Sequence, residues 1–129
     1  MKVTPTIPPR RFAVGRGKPI YITDCARIQL HPDEQVTFVT ESGVEYDVAR
    51  KSWGFYATPS LNGRLTKFGL RAALVKSPDE KVYVMLVERG KESDFEEYLV
   101  VERQQVVAWL DSDERLRQLE ERVGEGSTQ

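Results

Sequence analysis

The sequence predicts an α+β fold: an antiparallel, barrel-like or strongly curved β-sheet of about six strands, followed by two short C-terminal helices. Residues 19–89 contain short segments that alternate apolar and polar side chains, with turn residues between them. Residues 93–124 instead carry helix-capping residues and apolar residues at helical spacing. Strands followed by helices are the element order typical of α+β domains.

Residues 1–18 predict a flexible basic N-terminal arm. Three prolines favour extended geometry and two glycines add flexibility. A basic arm can bind phosphate groups, although a poorly ordered terminus is the more common outcome. Its positive charges are Lys2, Arg10, Arg11, Arg16 and Lys18, with no acidic residue before Asp24.

The β region begins with short strands at Tyr21–Ile22 and around Ala26–Leu30. The strongest signal is a hairpin in which residues 36–40 and 44–48 alternate in polarity on either side of a glycine-containing turn. One face of this hairpin is apolar and the other is polar, which indicates an antiparallel sheet with one solvated face. A further strand follows over residues 54–58 and ends before Pro59.

Residues 60–68 fit either a loop or one helical turn capped by Ser60. Residues 70–75 and 81–88 predict a second hairpin. The segment Val82–Val87 is apolar on both faces, so we expect it at the centre of the sheet.

The C-terminal part predicts two helices. Ser93 and Glu96 match a capping box for a helix that ends near Arg103, and Ser112 caps a second helix that ends at Gly124. Residues 104–110 fit a strand or more helix equally well. We interpret residues 19–123 as a single α+β domain and residues 124–129 as a disordered tail.

Composition restricts the class of protein. The chain has 129 residues, is 40% hydrophobic and 30% charged, and has a net charge of −1, which is typical of a globular domain and not of a generally basic nucleic-acid coat protein. It contains one cysteine and no apolar run near the 20 residues that a membrane span needs. We therefore expect a cytoplasmic protein with no membrane partner.

Charge is unevenly distributed along the chain. Residues 1–81 carry 13 basic and 8 acidic side chains, whereas residues 82–129 carry 6 and 12. This asymmetry suggests the alternative function, a protein–protein interaction or assembly subunit with a charge-polarised surface and no small-molecule ligand. Acidic, solvated helices would produce the same distribution.

Catalytic and metal chemistry find little support in the residues. Cys25 and His31 are too few for a structural zinc site, and along one strand they would lie about 20 Å apart. We expect Cys25 to be a small buried residue, and we expect no cofactor and no metal. An enzyme would have to assemble carboxylates, tyrosine or lysine through the fold, and that possibility stays open.

The most informative segment is residues 48–78, which contain no acidic side chain. Cationic, aromatic and turn residues occur together in its first half, as in sites that bind a nucleotide, a sugar nucleotide or single-stranded nucleic acid. The competing interpretation places the aromatic residues in the core and the cations on an edge strand. The candidate ligand-binding residues are Arg50, Lys51, Trp53, Tyr56, Ser60, Asn62 and Arg64.

The run Lys51–Leu65, KSWGFYATPSLNGRL, resembles a group of small uncharacterised bacterial proteins that occur among genes for cell-surface polysaccharide assembly. The resemblance extends from about residue 24 to residue 110. It implies a cytoplasmic accessory role near sugar-nucleotide or glycan chemistry. It transfers no catalytic residue, because the group has none established.

Overall fold

A computed structural model describes residues 1–17 and 19–127, and the side chains of residues 1–17 and 19–124. Lys18 of the predicted arm and the last two residues of the predicted tail lie outside this part. The elements in chain order are β1 Lys2–Val14, β2 Ile20–Gln29, β3 Gln35–Val39, β4 Glu45–Lys51, β5 Gly54–Ala57, α1 Arg64–Lys67, β6 Leu70–Lys76, β7 Val82–Glu88, α2 Glu92–Glu102, β8 Gln105–Trp109 and α3 Asp113–Ser127.

The strands form three antiparallel sheets, β1-β2, β3-β4-β5 and β7-β6-β8. The α+β class and the antiparallel pairing are confirmed. The predicted barrel is wrong for the described chain, because strand hydrogen bonding ends between one sheet and the next. The described residues contain eight strands instead of the predicted six or so. The alternation of apolar and polar residues along a strand predicts that one face of its sheet is exposed to solvent. It does not determine which strands are hydrogen-bonded neighbours.

Residues of the predicted N-terminal arm form β1, which pairs with β2 from Lys2↔Gln29 to Val14↔Ile20. A two-stranded ribbon leaves one edge of each strand without hydrogen bonds, so it tolerates proline. The register shifts between Pro5 and Arg10, and the Ile7–Pro8 peptide bond is cis. The prolines in residues 1–18 favoured a flexible arm in the sequence analysis, but they are compatible with strand β1 of a long hairpin.

The core is built on both faces of β6. On one face, Leu70 and Ala72 pack with Leu65 of α1 and with partly buried side chains that include Tyr46 of β4. On the other face, Ala73 and Val75 pack with Leu99 of α2. The partly buried residues around these two clusters are Val44, Tyr46, Leu61, Leu86 and Leu110 for the first, and Met85, Phe95, Val106 and Trp109 for the second.

β6 is the central strand of its sheet, and β7 lies at an edge. The prediction that Val82–Val87 would be central is therefore wrong. Val82 is 55% exposed and Val84 is 65% exposed. Ala72 and Ala73 are fully buried, and such short side chains let other elements approach β6 closely from both sides.

The ambiguous segments are resolved. Residues 105–109 form strand β8 beside β6. Residues 64–67 form one helical turn, but the predicted cap at Ser60 is wrong, because Gly63 is the N-cap residue and no side chain caps the turn. The Ser60 carbonyl instead accepts the amide N–H of Leu65 at 3.1 Å. Ser112 caps α3 as predicted, because its Oγ accepts the Arg115 N–H at 3.3 Å.

Two predicted helix ends differ. The capping box at Ser93 does not form, since α2 begins at Glu92 with no side-chain cap and the Glu92 carboxylate accepts the Gly90 N–H instead. Helix α3 continues past Gly124 to Ser127. A glycine inside a helix costs about 1 kcal/mol relative to alanine, which is too little to stop the helix by itself. Within the described residues, no helix is both long and apolar enough to cross a membrane.

Candidate functional site

The β4–β5 turn presents aromatic side chains to solvent. Trp53 is 70% exposed and Phe55 is 64% exposed, so the expectation that they belong to the core is wrong. The ring of Trp53 stacks on the ring of Tyr56 with a centroid distance of 6.2 Å and an interplanar angle of 26°. Exposed stacked rings of this kind offer a flat surface to a base or a sugar.

Lys51 and Arg64 are held by acidic side chains from other segments. Lys51 Nζ donates to Asp33 Oδ1 at 2.5 Å, and this hydrogen bond, with the charge of Asp33, raises the pKa of Lys51. Arg64 lies 3.5 Å from the mostly buried carboxylate of Asp47. The segment that is free of acids in sequence is therefore not free of acids in space.

Arg64 has two further contacts that fix its position. Its guanidinium donates to Thr58 Oγ1 at 3.2 Å and lies 5.4 Å from the centre of the Phe68 ring. Asp47 also accepts a hydrogen bond from Thr37 Oγ1 at 2.6 Å. Arg64 thus completes a small polar cluster on one face of the β3-β4-β5 sheet, which gives it a structural role.

Ser60 and Asn62 lie apart from this cluster. The exposed Ser60 accepts the amide N–H groups of Gly63 and Leu65 through its carbonyl, which organises the turn before α1. Asn62 lines a cavity of ≈ 370 Å³ whose other lining residues belong to α3, among them Leu116 and Arg117. Ser60 therefore stabilises the turn before α1, and Asn62 faces α3. Neither residue extends the aromatic surface of Trp53 and Tyr56.

Arg50 belongs to a different surface, because neighbouring residues of a strand point to opposite faces. Its cross-strand partner is Phe55, whereas Tyr56 pairs with Ala49. Both Arg50 and Phe55 line a cavity of ≈ 370 Å³ between the β1-β2 hairpin and the β3-β4-β5 sheet, which we call the basic pocket. Its lining is Lys2, Thr4, Arg27, Ile28, Gln29, Leu30, Arg50 and Phe55.

The basic pocket has three cations and, among its described lining residues, no Asp or Glu. Lys2, Arg27 and Arg50 take part in none of the ion pairs found within residues 1–17 and 19–127. Like charges that converge without counter-charges repel one another and attract an anion. The arrangement can therefore bind a phosphate or carboxylate group.

The β1-β2 register brings Lys2 and Arg27 into the pocket. Lys2 lies opposite Gln29, and Thr4 lies opposite Arg27, so all four side chains share one face of the hairpin. Glu34 anchors the same end of the hairpin through an ion pair of 3.1 Å with the Met1 ammonium. The hydrogen bond from the His31 N–H and the interaction with that ammonium lower the pKa of Glu34.

Sequence reasoning missed Lys2, Arg27 and Phe55 as parts of one site. A signal existed, since polar residues alternate with an apolar one in residues 2–4 (KVT) and in residues 27–29 (RIQ). It was insufficient, because only the pairing of β1 with β2 places the two segments side by side. Of the seven predicted residues, the basic pocket contains Arg50 alone.

The nucleophile and metal candidates remain separate. Cys25 is exposed in β2, contrary to the expectation of a buried residue, and His31 is exposed after the strand ends. In the described part of the chain, no three His, Cys, Asp or Glu residues are grouped so that they could hold a metal ion. No family model, no curated protein and no solved structure matches this chain.

Proposed function

We propose that the protein is a small binding or accessory protein that recognises a phosphate-bearing anion in the basic pocket. One observation carries the proposal: three cations line a single cavity whose described lining contains no acidic residue. They are Lys2, Arg27 and Arg50. The ligand class is a nucleotide, a sugar nucleotide or single-stranded nucleic acid. The two arginines suit phosphate because a guanidinium can donate two parallel hydrogen bonds to it.

Phe55 supplies the second element of recognition. Its exposed ring lies in the same cavity as the three cations, so a base could stack on it while the phosphate contacts the arginines. A cavity of ≈ 370 Å³ falls within the size range of small-molecule sites. The resemblance to proteins encoded among polysaccharide genes favours a sugar nucleotide, and with it a cytoplasmic accessory role.

Calorimetric titration with UDP, UDP-glucose, a short oligo-dT and uridine tests this proposal. We expect UDP to bind and uridine to bind at least about tenfold more weakly, since charged hydrogen bonds contribute 1.5–3 kcal/mol each. Affinity for UDP should fall as salt rises. Flat titrations with all three anions up to millimolar concentration would refute the proposal.

Charge-neutralising variants locate the site. Arg27→Gln and Arg50→Gln should each weaken UDP binding. Lys67→Gln is the matched control, because Lys67 is an exposed cation on α1 outside the basic pocket and should leave UDP binding unchanged. Equal losses in all three variants would indicate non-specific charge attraction instead of a site.

A second candidate function is assembly with another protein or another copy. The observation that favours it is the edge strand β7, where Val82 and Val84 are exposed. Exposed apolar edge strands are templates for pairing with a further strand. Sedimentation of the wild type and of Val84→Lys tests it: a wild-type dimer that the lysine dissociates supports assembly, and a monomer at all concentrations excludes self-association.

A further inference from the structure

We propose a second ligand site, for an organic ammonium ion, in the cavity between the end of the β1-β2 hairpin and the β6-β7-α2 layer. We call this cavity of ≈ 440 Å³ the tip cavity. Its described lining has two acidic residues and one basic residue, whereas the basic pocket has three cations and no acidic residue among its described lining. Its lining residues are Val14, Gly15, Arg16, Ile22, Ser77, Asp79, Tyr83, Met85, Tyr98, Glu102 and Gln104.

Glu102 is the central residue of the tip cavity. It is 2% exposed at the end of α2, and its Oε2 accepts the Arg16 N–H at 2.5 Å. Its Oε1 is buried and has no hydrogen-bond partner among the described residues. A buried carboxylate oxygen without a donor is costly, so native proteins almost always supply one.

No described cation neutralises Glu102. Arg16 contacts Glu102 through its backbone N–H, but its guanidinium pairs with Asp79 at 3.1 Å. Asp79 also lies 3.8 Å from Lys81 Nζ. The rim of the cavity is thus charge-paired, whereas the carboxylate inside it forms none of the ion pairs found among the described residues.

A second acceptor belongs to another lining residue of the same cavity. Gln104 Oε1 is buried and, within the part of the chain that the structure describes, has no hydrogen-bond partner. The two residues that carry these oxygens, Glu102 and Gln104, line the same cavity, and a ligand that pairs with both needs at least two donors. An ammonium group has three.

The walls select for an organic cation. Tyr83, Tyr98 and Met85 line the tip cavity together with the acceptors. Aromatic faces attract a cation and also pack against an apolar chain or ring. A neutral polyol would satisfy the acceptors but would leave the Glu102 charge without a counter-charge, which is why we assign a cation and not a sugar.

Gly15 lets the backbone of the hairpin lie close to the buried Glu102 carboxylate. A Cβ atom added at Gly15 would lie 2.7 Å from Glu102 Oε1, and the φ of +98° at this residue also favours glycine. The hairpin therefore approaches the buried carboxylate without covering it with a side chain.

The test is calorimetric titration with tyramine, putrescine and 4-ethylphenol, the last of which keeps the tyramine ring without the ammonium. Tyramine should bind at least about tenfold more tightly than 4-ethylphenol. Glu102→Gln, which can still accept the Arg16 N–H, should reduce tyramine binding by a similar factor. Gln104→Met should reduce it less, because a neutral acceptor contributes less than a charged one.

Glu97→Gln is the control, since Glu97 is an exposed glutamate on the same helix. It should bind tyramine as the wild type does. Thermal unfolding of each variant verifies that it is folded. The proposal is overturned if neither amine binds up to about 10 mM, if 4-ethylphenol binds as tightly as tyramine, or if Glu102→Gln and Glu97→Gln behave alike. Methyl glucoside is titrated as well, as a neutral sugar. If it binds the wild type and binds Glu102→Gln equally well, the cavity is a sugar site and the proposal is overturned.

Discussion

The backbone N–H of Arg16 donates a 2.5 Å hydrogen bond to the buried carboxylate of Glu102, across 86 residues of sequence. This contact attaches the end of the β1-β2 hairpin to the C-terminal end of α2. The opposite end of the hairpin lines the basic pocket beside β4 and β5. One hairpin therefore forms a wall of both proposed ligand sites.

Gly15→Ala should destabilise the protein more than Gly43→Ala. Both glycines have positive φ, +98° and +91°, so both substitutions carry a similar backbone cost. Only the new Cβ at residue 15 meets another group, the Glu102 carboxylate at 2.7 Å. We expect an additional loss of about 1–3 kcal/mol in urea denaturation for Gly15→Ala. Equal losses would show that the Glu102 carboxylate moves aside for the new Cβ without a cost in stability.

Arg71→Met should cost about 1–3 kcal/mol of folding free energy, because it leaves a buried acid without its partner. Arg71 Nε donates to Asp111 Oδ2 at 2.9 Å, and the guanidinium lies 4.0 Å from the centre of the Trp109 ring. Asp111 is mostly buried, and its other oxygen has no hydrogen-bond partner in residues 1–17 and 19–127.

The control for Arg71→Met is Lys76→Met. Lys76 lies on β6, as Arg71 does, and Glu80 lies in the turn after β6. Their side chains form an exposed ion pair at 3.8 Å. Exposed pairs contribute about 0–1 kcal/mol, so this variant should unfold nearly as the wild type does. A loss for Lys76→Met as large as that for Arg71→Met would contradict the argument from burial.

Ser42→Ala should raise the pKa of Glu88 toward its ordinary value of 4.5. The Ser42 hydroxyl donates to the Glu88 carboxylate, and this hydrogen bond, with the nearby Lys91, lowers the pKa of Glu88. A lowered carboxylate pKa adds stability at pH values above 4.5, and that stability is lost as the pH falls through the folded-state pKa. The variant should therefore lose less stability on acidification over this range.

Titration of the Glu88 carboxyl by NMR measures this shift directly. Ser93→Ala, at an exposed serine on α2, is the control and should leave the Glu88 titration unchanged. An unaltered Glu88 titration in Ser42→Ala would show that the hydroxyl does not stabilise the charged form.

Phe55→Ala should weaken UDP binding, whereas Tyr56→Ala should not. The two aromatic residues are neighbours on β5, but only Phe55 lines the basic pocket. Base stacking contributes about 1–3 kcal/mol, so we expect a loss of roughly fivefold or more for Phe55→Ala by calorimetry. If Tyr56→Ala weakens UDP binding and Phe55→Ala does not, the ligand binds at the stacked rings of Trp53 and Tyr56, which the sequence analysis proposed as ligand-binding residues.

The sequence by itself determined the local elements. The hairpin of β3 and β4, the cap at Ser112 and the antiparallel α+β class follow from alternation and side-chain capping, which act between residues near in sequence. The tertiary structure alone decided what depends on distant segments. It placed β6, not β7, at the centre of its sheet, and it paired Lys51 with Asp33 and Arg64 with Asp47.

The candidate site follows the same division. Arg50 was identifiable from its segment, but Lys2 and Arg27 join it only because β1 folds back along β2 and the hairpin packs beside the β3-β4-β5 sheet. In the sequence Glu102 is one of several acids in a predicted helix, and only the tertiary structure buries it against the backbone of Gly15 and Arg16. The net charge around a side chain and its burial depend on all residues that are close to it in space. A sequence pattern shows only the residues that are close to it along the chain.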